Sequence, residues 1–312
     1  MKTLVTGGAG FIGSHLVDEL IKRGYSVRVL DNLSSGKKEF IEHHFNNPNF
    51  EFHKVDLSDG NIDKYFHGID RVFHLAANPK VRIGAEKTRI DLEQNILATH
   101  NVLEAMRKQR VKSIFFTSSS TVYGETKKLP TEENHSPLQP ISLYGASKLA
   151  CEALISAYCH TFGMNSVVFR LANVIGKRST HGVVYNFTNR LRENPNELKI
   201  LGNGLQSKSY IYITDCIEGM ILAADQAKKP FEIFNIGSED QVTVKRIAEL
   251  ISGEMGIKPD FKFAGGERGW RGDIPVMLLD VSKIRKFGWR SKHNSEEAVK
   301  KTTKDLLNNF KA

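Results

Sequence analysis

Three side chains near the middle of the chain have the types and spacing needed to move a proton. Tyr144 and Lys148 are four residues apart on a predicted helix, so they lie on one face of it. A phenol ordinarily has a pKa of about 10, and a nearby ammonium group favours its anion. Tyr144 is therefore a candidate base for a sugar hydroxyl while hydride leaves the same carbon. Ser119, at the end of a predicted strand, could bind the same hydroxyl and relay the proton. A tyrosine and a lysine at this spacing also occur together on many ordinary surface helices. Whether this pair is catalytic therefore depends on the elements around it.

The first of these elements is a glycine-rich turn at the start of the chain. The run Thr3-Leu4-Val5 predicts a strand, and a helix is predicted from Phe11 onward. Between them, Gly7 can take the positive φ of a tight turn, Gly10 lets a pyrophosphate approach the backbone, and Gly13 lets the helix pack closely on the strand. The free N–H groups at the start of the helix then face the phosphates. The alternative is an ordinary strand-to-helix turn.

The second element is an acidic residue at the end of the next strand. Tyr25 to Leu30 is apolar and ends at Asp31. A carboxylate at that position can hydrogen-bond the ribose diol of an adenosine and repels a 2′-phosphate. The sequence therefore predicts NAD, rather than NADP, as the cofactor. The positive ring of its oxidised nicotinamide would favour the anion of Tyr144, as the ammonium of Lys148 does.

The order of the elements predicts the fold class. Strands at about 2–6, 26–31, 50–55, 70–76, 112–119 and 165–171 alternate with helices that include 11–23, 92–109 and 144–162. Such alternation predicts an α/β fold with a Rossmann-like, doubly wound parallel sheet that helices cover on both faces.

The pattern changes after about residue 174. Helices at 185–193, 214–227 and 243–255 then mix with short strands at 209–213 and 232–236. We expect an NAD-binding domain over 1–173, with 209–240 returning to it. We expect 174–208 and 241–312 to form a smaller C-terminal α/β substrate-binding lobe over the carboxyl edge of the sheet.

Composition narrows the class of protein. The 312 residues are 40% hydrophobic and 25% charged, which is typical of a globular protein with a core. No apolar run is long enough for a transmembrane helix, and strand one begins at once, so we expect neither a membrane partner nor a signal peptide. The cysteines, Cys151, Cys159 and Cys216, form no CxxC pair, so we expect reduced thiols, no metal site and a cytoplasmic protein. The net charge is +9, and a positive surface would attract an anionic nucleotide substrate. The basic residues are scattered rather than clustered, so we expect no nucleic-acid partner.

The chain resembles an extended short-chain dehydrogenase/reductase of the NAD-dependent epimerase/dehydratase family. The resemblance runs nearly end to end and lies in TGGAGFIG at 6–13, DNLSSG at 31–36, HLAA at 74–77, SSSTVYG at 118–124, YGASK at 144–148 and RLANVIG at 170–176. Within the family the chain is most similar to UDP-glucose 4-epimerases of the compact archaeal type. The resemblance implies interconversion of UDP-galactose and UDP-glucose through a 4-keto intermediate, with tightly bound NAD. It also implies a homodimer through the helices at 92–109 and 144–162.

The resemblance implies cofactor contacts throughout the first half of the chain. Tyr144 and Lys148 would lie at the nicotinamide ribose, and Asn95 with Thr99 would lie beneath the site unless Asn95 is a helix-surface amide. The other implied contacts are the phosphate contacts Phe11 and Ile12, the adenosine contacts Asp31, Asn32, Leu33, Ser34, Ser35, Gly36, Asp56 and Leu57, and Leu75, Ala76 and Ala77 along the crevice.

The implied substrate contacts match the family less closely. They are Ser119, Asn173, Val183, Val184, Lys199, Ile200, Leu201, Lys208, Arg268 and Asp273. Many relatives carry Arg-Asp where this chain has Lys208-Ser209, and lysine lacks the bidentate fork of arginine. Either Arg268 or Arg271 could bind the diphosphate, and we favour Arg268; Asp273 could bind the uridine ribose.

Other functions stay open at this point. A 4,6-dehydratase of the family carries an Asp-Glu pair after the threonine at the strand end, whereas Ser118-Ser119-Ser120 follows Thr117 here. A decarboxylating or C5-epimerising enzyme is harder to exclude. A silent NAD-binding regulator is a third reading, against which the intact Ser119, Tyr144 and Lys148 argue. The sequence does not define the nucleotide base or the tolerance for an N-acetyl group.

Overall fold

The computed structural model describes residues 1–309. Within them the strands are β1 (Lys2–Thr6), β2 (Ser26–Asp31), β3 (Phe50–Lys54), β4 (Arg71–His74), β5 (Ser113–Ser119), β6 (Asn165–Leu171), β7 (Asn173–Ile175), β8 (Glu197–Ile200), β9 (Ser207–Lys208), β10 (Tyr210–Tyr212), β11 (Phe231–Ile236), β12 (Val242–Thr243), β13 (Asp260–Phe263) and β14 (Val276–Met277). The helices are α1 (Phe11–Lys22), α2 (Arg89–Asp91), α3 (Ala98–Lys108), α4 (Leu143–Phe162), α5 (Val183–Glu193), α6 (Ile213–Gln226), α7 (Val244–Met255), α8 (Ser282–Arg285) and α9 (Ser295–Asn309). A π-helical turn, Leu92–Leu97, joins α2 to α3.

The main sheet has the strand order β11-β6-β5-β4-β1-β2-β3 within the described residues. β1 pairs in parallel with both β2 and β4, so the order reverses direction between β1 and β4. This is the strand order of a doubly wound dinucleotide-binding sheet, whose ligands bind outside the carboxyl ends of the strands at the reversal. The predicted fold class is confirmed.

The buried core beside this sheet comes from strands and helices that the apolar periodicity had indicated. Leu4, Val72 and Ile114 of the strands share one cluster with Val102 of α3 and Ile155 of α4. Packing this cluster fixes α4 against the sheet and so fixes the residues in the first turns of α4.

The chain divides into two compact units. The first contains residues 1–122, 142–170 and 223–234, and the second contains 123–141, 171–222 and the described chain from 235 onward. This division differs from the predicted domain bounds in four segments, because 123–141, 171–173, 209–222 and 235–240 group with the second unit.

Short strands and packed helices make up the second unit. β7 pairs in parallel with β10, β8 with β13, and β9 lies between β12 and β14. α5, α7 and α9 pack on one another. This arrangement agrees with the predicted smaller α/β lobe, and it places Lys208 on β9.

Two expectations drawn from composition can be compared with the structure. Cys151, Cys159 and Cys216 are buried free thiols. Among residues 1–309, none of the helices combines the length and the apolar character that crossing a bilayer requires.

Candidate active site

The glycine-rich turn has the conformation that its residues predicted. Gly7 has φ of 68°, and a Cβ on it would lie 2.7 Å from the Ala76 backbone nitrogen. A Cβ on Gly13 would lie 2.1 Å from the Gly7 carbonyl oxygen. Only glycine fits at these two positions, and the turn therefore places the first N–H groups of α1, at Phe11 and Ile12, beside the carboxyl end of β1.

Asp31 is held in one orientation at the end of β2. Its carboxylate is 7% exposed and accepts hydrogen bonds from Ala9 N at 2.9 Å and Leu33 N at 2.8 Å. Burial raises the pKa of this carboxyl, and the two N–H bonds oppose that rise. A Cβ on Gly36 would lie 2.8 Å from the Asp31 carboxylate, so the loop wraps closely around it.

The two segments predicted for adenosine contact each other. Asn32 Nδ2 donates to Asp56 Oδ2 at 2.9 Å, and Asp56 also accepts from Ser58 N, which orders the turn that contains Leu57. Leu33 takes φ of 61°, and Ser34 N donates to the Asn32 side chain at 2.9 Å.

The position of Asp31 leads to a prediction about cofactor choice. We expect the cofactor-free protein to bind NAD at least about fivefold more tightly than NADP, because a 2′-phosphate 4 Å from this carboxylate would be repelled by about 1 kcal/mol in water and about 4 kcal/mol near a protein surface. Titration with both cofactors measures the ratio. Asp31→Asn is the nearest neutral variant and should narrow the preference for NAD. It removes the charge and keeps one oxygen for Ala9 N, while its NH2 group replaces the acceptor of Leu33 N. Equal or tighter NADP binding by the unmodified protein would contradict the role of Asp31.

The three predicted catalytic residues lie on β5 and α4, which contact each other. Ser142 caps α4 by accepting from Gly145 N at 3.1 Å, and this places Tyr144 and Lys148 in the first two turns. The buried Lys148 Nζ donates to the Thr117 carbonyl oxygen at 2.9 Å. Ser119 ends the same strand, and its Oγ accepts from Thr121 N and Thr121 Oγ1 at 3.2 and 3.0 Å.

The groups around Tyr144 determine what ionisation of its phenol requires. Lys148 Nζ lies 5.8 Å from the centroid of the Tyr144 ring, as the shared helix face predicted. Burial nevertheless raises the pKa of Tyr144 well above its usual value, and Asp91 and Cys151 add to the rise. Burial also lowers the pKa of Lys148 to about 8. Lys148 by itself therefore does not lower the pKa of Tyr144, and the phenolate would need the further positive charge that the prediction assigned to an oxidised nicotinamide.

Asn95 belongs to a buried polar network and is not a helix-surface amide. It is 1% exposed, and its Nδ2 donates to Ser147 Oγ at 2.7 Å and to Asp91 Oδ1 at 3.2 Å. Its Oδ1 accepts from Asn78 N at 2.8 Å. Asn95 lies in the π-helical turn, a distortion that often occurs at functional sites.

Asp91 is a site residue that the sequence reasoning missed. It is 2% exposed, and within residues 1–309 its Oδ2 has no hydrogen-bond partner. Its charge acts on both Tyr144 and Lys148. The available signal was its spacing, because Asp91 lies four residues before Asn95 on the same stretch of helix.

The sequence reasoning also missed a buried ion pair whose acidic member, Glu152, lies one turn after Lys148 on α4. Glu152 Oε2 accepts from Arg170 Nη2 at 2.7 Å, with both side chains 5% exposed or less. Ser118 Oγ donates to Glu152 Oε1 at 2.5 Å. Glu152 follows Lys148 by four residues, so this pair joins the catalytic face of α4 to β5 and β6.

His74 connects the glycine-rich turn to the helix beneath the site. Its Nδ1 lies 2.7 Å from Thr6 Oγ1, and its Nε2 lies 3.0 Å from Thr99 Oγ1. Burial and the charge of Lys148 lower the pKa of His74 to about 3, so it is neutral near pH 7. The Thr6 hydroxyl in turn accepts from Leu75 N and Ala76 N, both at 3.2 Å.

The second unit brings three predicted substrate residues together. Lys208 Nζ bonds to Asp273 Oδ1 at 2.5 Å, and Arg268 Nη1 donates to the Asp273 carbonyl oxygen at 2.7 Å. Arg268 is also paired with Glu125, which the sequence reasoning missed. Arg271 makes no hydrogen bond or ion pair within the part of the chain that the structure describes.

The other predicted substrate residues lie on separate elements of this unit. Asn173 begins β7, and its Nδ2 donates to the Ser209 carbonyl oxygen at 3.1 Å. Val183 and Val184 form the first turn of α5, which starts two residues earlier than predicted. Lys199 and Ile200 end β8, and Leu201 follows them.

Comparison with known proteins identifies the family. A family described as NAD dependent epimerase/dehydratase matches residues 3–237, which is more than half of the chain. The chain belongs to this family. The predicted family and the predicted NAD cofactor are thereby confirmed, and the protein is an enzyme.

Individual members show which reactions occur among its relatives. A protein of Methanocaldococcus jannaschii named putative UDP-glucose 4-epimerase is 35% identical over 98% of each chain. The crystal structure of UDP-glucose 4-epimerase from Thermotoga maritima with UDP-glucose has a TM-score of 0.90 and 35% identity, covering 99% of this chain and 100% of that one. UDP-glucuronic acid decarboxylase 1 of Arabidopsis thaliana is 30% identical, covering 99% of this chain and 70% of its own.

Proposed function

We propose that this enzyme is a UDP-glucose 4-epimerase that interconverts UDP-galactose and UDP-glucose. The observation that carries the proposal is the hydrogen bond of 2.9 Å from Lys148 Nζ to the Thr117 carbonyl oxygen, because it joins the helix of Tyr144 to the strand end of Ser119. A tyrosine base and a lysine on α4, together with a serine hydroxyl at the end of β5, are the groups that oxidation of a secondary alcohol requires. The T. maritima and M. jannaschii proteins support the choice of substrate.

The first unit has the groups that NAD requires. The start of α1 offers first-turn N–H groups to a pyrophosphate, and the oriented carboxylate of Asp31 can accept from a ribose diol. Within residues 1–309, the Lys148 ammonium donates one hydrogen bond, to Thr117, so it can donate further to ribose hydroxyls. When bound, NAD would take hydride from C4 of the sugar and return it to the opposite face of the 4-keto sugar.

The protein residues then have separate tasks. Tyr144 Oη takes the proton from the C4 hydroxyl during oxidation and gives a proton back to the same oxygen during reduction. Ser119 Oγ orients that hydroxyl and can relay the proton. Lys148 holds the ribose and contributes positive charge near the phenol. The proton and the hydride both return to the sugar, so there is no net redox change.

Other members of the family catalyse other reactions, and one observation distinguishes this chain from the dehydratases. In place of an Asp-Glu pair, Ser118 donates to the buried Glu152 and Ser119 accepts from Thr121. No acid pair therefore follows Thr117 to protonate a leaving hydroxyl. Decarboxylation, the reaction in the name of the A. thaliana relative, remains the second candidate.

An assay of the purified protein distinguishes these candidates. We expect UDP-galactose to yield UDP-glucose, detected by a coupled UDP-glucose dehydrogenase, with no net NADH made by the protein alone. Mass spectrometry of products from a panel of UDP-, GDP- and dTDP-sugars, including N-acetylated ones and UDP-glucuronic acid, then defines the substrate. Release of CO₂ from UDP-glucuronic acid without epimerisation of UDP-galactose would favour the decarboxylase, and NAD binding without any turnover would favour a silent regulator.

A prediction concerns the diphosphate of the substrate. We expect Lys208→Ala and Arg268→Ala each to raise KM for UDP-galactose by about 10- to 100-fold, the worth of one charged hydrogen bond, with kcat nearly unchanged. Both contacts would be remote from C4 and so equally strong in the ground and transition states. Arg271→Ala is the matched control. If it raises KM while Arg268→Ala does not, the diphosphate contact belongs to Arg271.

The assembly and location of the enzyme are also proposals. Four exposed apolar side chains lie on or next to the helices implied in pairing, namely Leu92, Leu97, Leu143 and Phe162. Burying such a surface against a second copy would stabilise a homodimer, which sedimentation analysis would detect. The three free thiols support a reducing compartment such as the cytoplasm.

A further inference from the structure

A cluster of two histidines and one aspartate lies on α1 and the connection from β2 to β3. Asp18 belongs to α1, and His43 and His44 belong to the short 3₁₀ turn Glu42–His44. His43 Nε2 lies 3.0 Å from Asp18 Oδ1, and His44 Nε2 lies 2.8 Å from the same oxygen. The two imidazole rings are 4.0 Å apart between centroids.

These three atoms have the spacing of a set of metal ligands. Two ligand atoms at about 2.0–2.1 Å from a tetrahedral Zn²⁺ are about 3.3 Å apart, so each observed contact would need to lengthen by about 0.5 Å or less. The ligand atoms all lie within 4.8 Å of one another. The His43 side chain is 47% exposed, so water can reach the fourth position.

We propose that Asp18, His43 and His44 bind a divalent transition-metal ion, with water completing a tetrahedral site. Imidazole nitrogens suit Zn²⁺, Cu²⁺ and Ni²⁺, whereas Mg²⁺ and Ca²⁺ require oxygen ligands. Neutral histidines bind through Nε2 with the remaining proton on Nδ1. The role of this ion is separate from the proposed chemistry of Tyr144.

The position of the site indicates what a bound ion would do. The segment before His43 is already attached to the glycine-rich turn, because Lys37 N donates to the Ala9 carbonyl oxygen at 2.9 Å. The His44 ring also contacts Phe50 at 5.5 Å between centroids. An ion bound by Asp18 and the two histidines would therefore cross-link α1 to the segment that follows the Asp31–Gly36 loop, and this would stabilise the first unit.

Zn²⁺ binding to the full chain tests the proposal. The purified protein is stripped with a chelator, which is then removed, and ZnCl₂ is titrated by calorimetry and by competition with a chromophoric chelator. The variants are His43→Gln, His44→Gln and Asp18→Asn, which keep hydrogen-bonding groups but remove a ligand. His100→Gln is the matched control, since His100 is an exposed histidine of the same unit. Melting temperatures in excess chelator show whether each variant folds like the unmodified protein.

We expect one Zn²⁺ per chain, a higher melting temperature with Zn²⁺, and unchanged binding in His100→Gln. Removing a residue that hydrogen-bonds a metal ligand commonly lowers the affinity for the metal by about 10–100-fold. Removing a ligand itself should therefore lower the affinity for Zn²⁺ by at least about 100-fold. The double variant His43→Gln/His44→Gln should lose both the binding and the thermal shift. Binding that is undiminished in the double variant, or no stoichiometric binding by the unmodified protein, would overturn the proposal.

Discussion

Replacing Tyr144 with phenylalanine is expected to slow interconversion of UDP-galactose and UDP-glucose by about 10²–10⁴-fold, the usual contribution of a positioned acid–base group. The substitution deletes the phenol oxygen but keeps the ring and its packing. Within residues 1–309 that oxygen makes no hydrogen bond, so its loss should change the melting temperature little. NAD binding should be largely retained, because the proposed contacts at the α1 turn, Asp31 and Lys148 remain. The coupled assay for UDP-glucose, with NAD content measured on the same sample, gives both results.

Two further variants show whether Tyr144 is the direct base. Ser119→Ala should cost less than Tyr144→Phe if the serine only orients or relays the proton. Lys148→Ala should move the pH–rate profile upward, because positive charge that favours the phenolate has been removed. Near-normal turnover by Tyr144→Phe would refute the mechanism, and a Ser119→Ala defect as large as that of Tyr144→Phe would make Ser119 an obligatory part of the proton transfer.

Replacing Arg170 with methionine is expected to destabilise the protein by about 3–5 kcal/mol, because it leaves the Glu152 carboxylate buried without its positive partner. The two side chains are 2.7 Å apart and almost wholly buried. Within residues 1–309, the hydrogen bond left to the carboxylate would be the one from Ser118. Chemical denaturation followed by circular dichroism measures the loss.

A surface pair and a double variant serve as controls. Arg89 and Glu93 form an exposed pair at 3.0 Å, and Arg89→Met should not measurably change the free energy of unfolding. Adding Glu152→Met to Arg170→Met removes the uncompensated charge and should recover part of the loss. If the single Arg170→Met variant is as stable as the unmodified protein, the buried pair is not what joins α4 to the sheet.

The sequence predicted the fold because its signals are local. The strands of the main sheet are short runs that alternate with helical periods, and a parallel sheet follows from that alternation. Gly7, Gly13 and Asp31 could likewise be interpreted from a strand, a turn and a helix within one short segment. The helical period alone predicts that Tyr144 and Lys148 lie on one face of α4.

Contacts between residues distant in sequence could not be predicted in this way. Arg170 meets Glu152 across two elements, and Arg268 meets Glu125 from the other end of the second unit. The rise in the pKa of Tyr144 could not be predicted for the same reason, since it comes from burial and from Asp91 in the folded site. The histidines at 43 and 44 were passed over because their third partner, Asp18, belongs to another element.

The setting of Asp31 bears on any attempt to convert this enzyme to NADP. Its two oxygens are the acceptors that hold Ala9 N of the phosphate turn and Leu33 N of the next loop, and Gly36 lies so close that a side chain there would collide with them. A substitution that reverses the charge of Asp31 would therefore remove the hydrogen bonds that order the glycine-rich turn and the 31–36 loop, as well as the preference for NAD. A change of cofactor would therefore require replacement of residues 31–36 as a whole by a loop that supplies a new hydrogen-bond acceptor for Ala9 N.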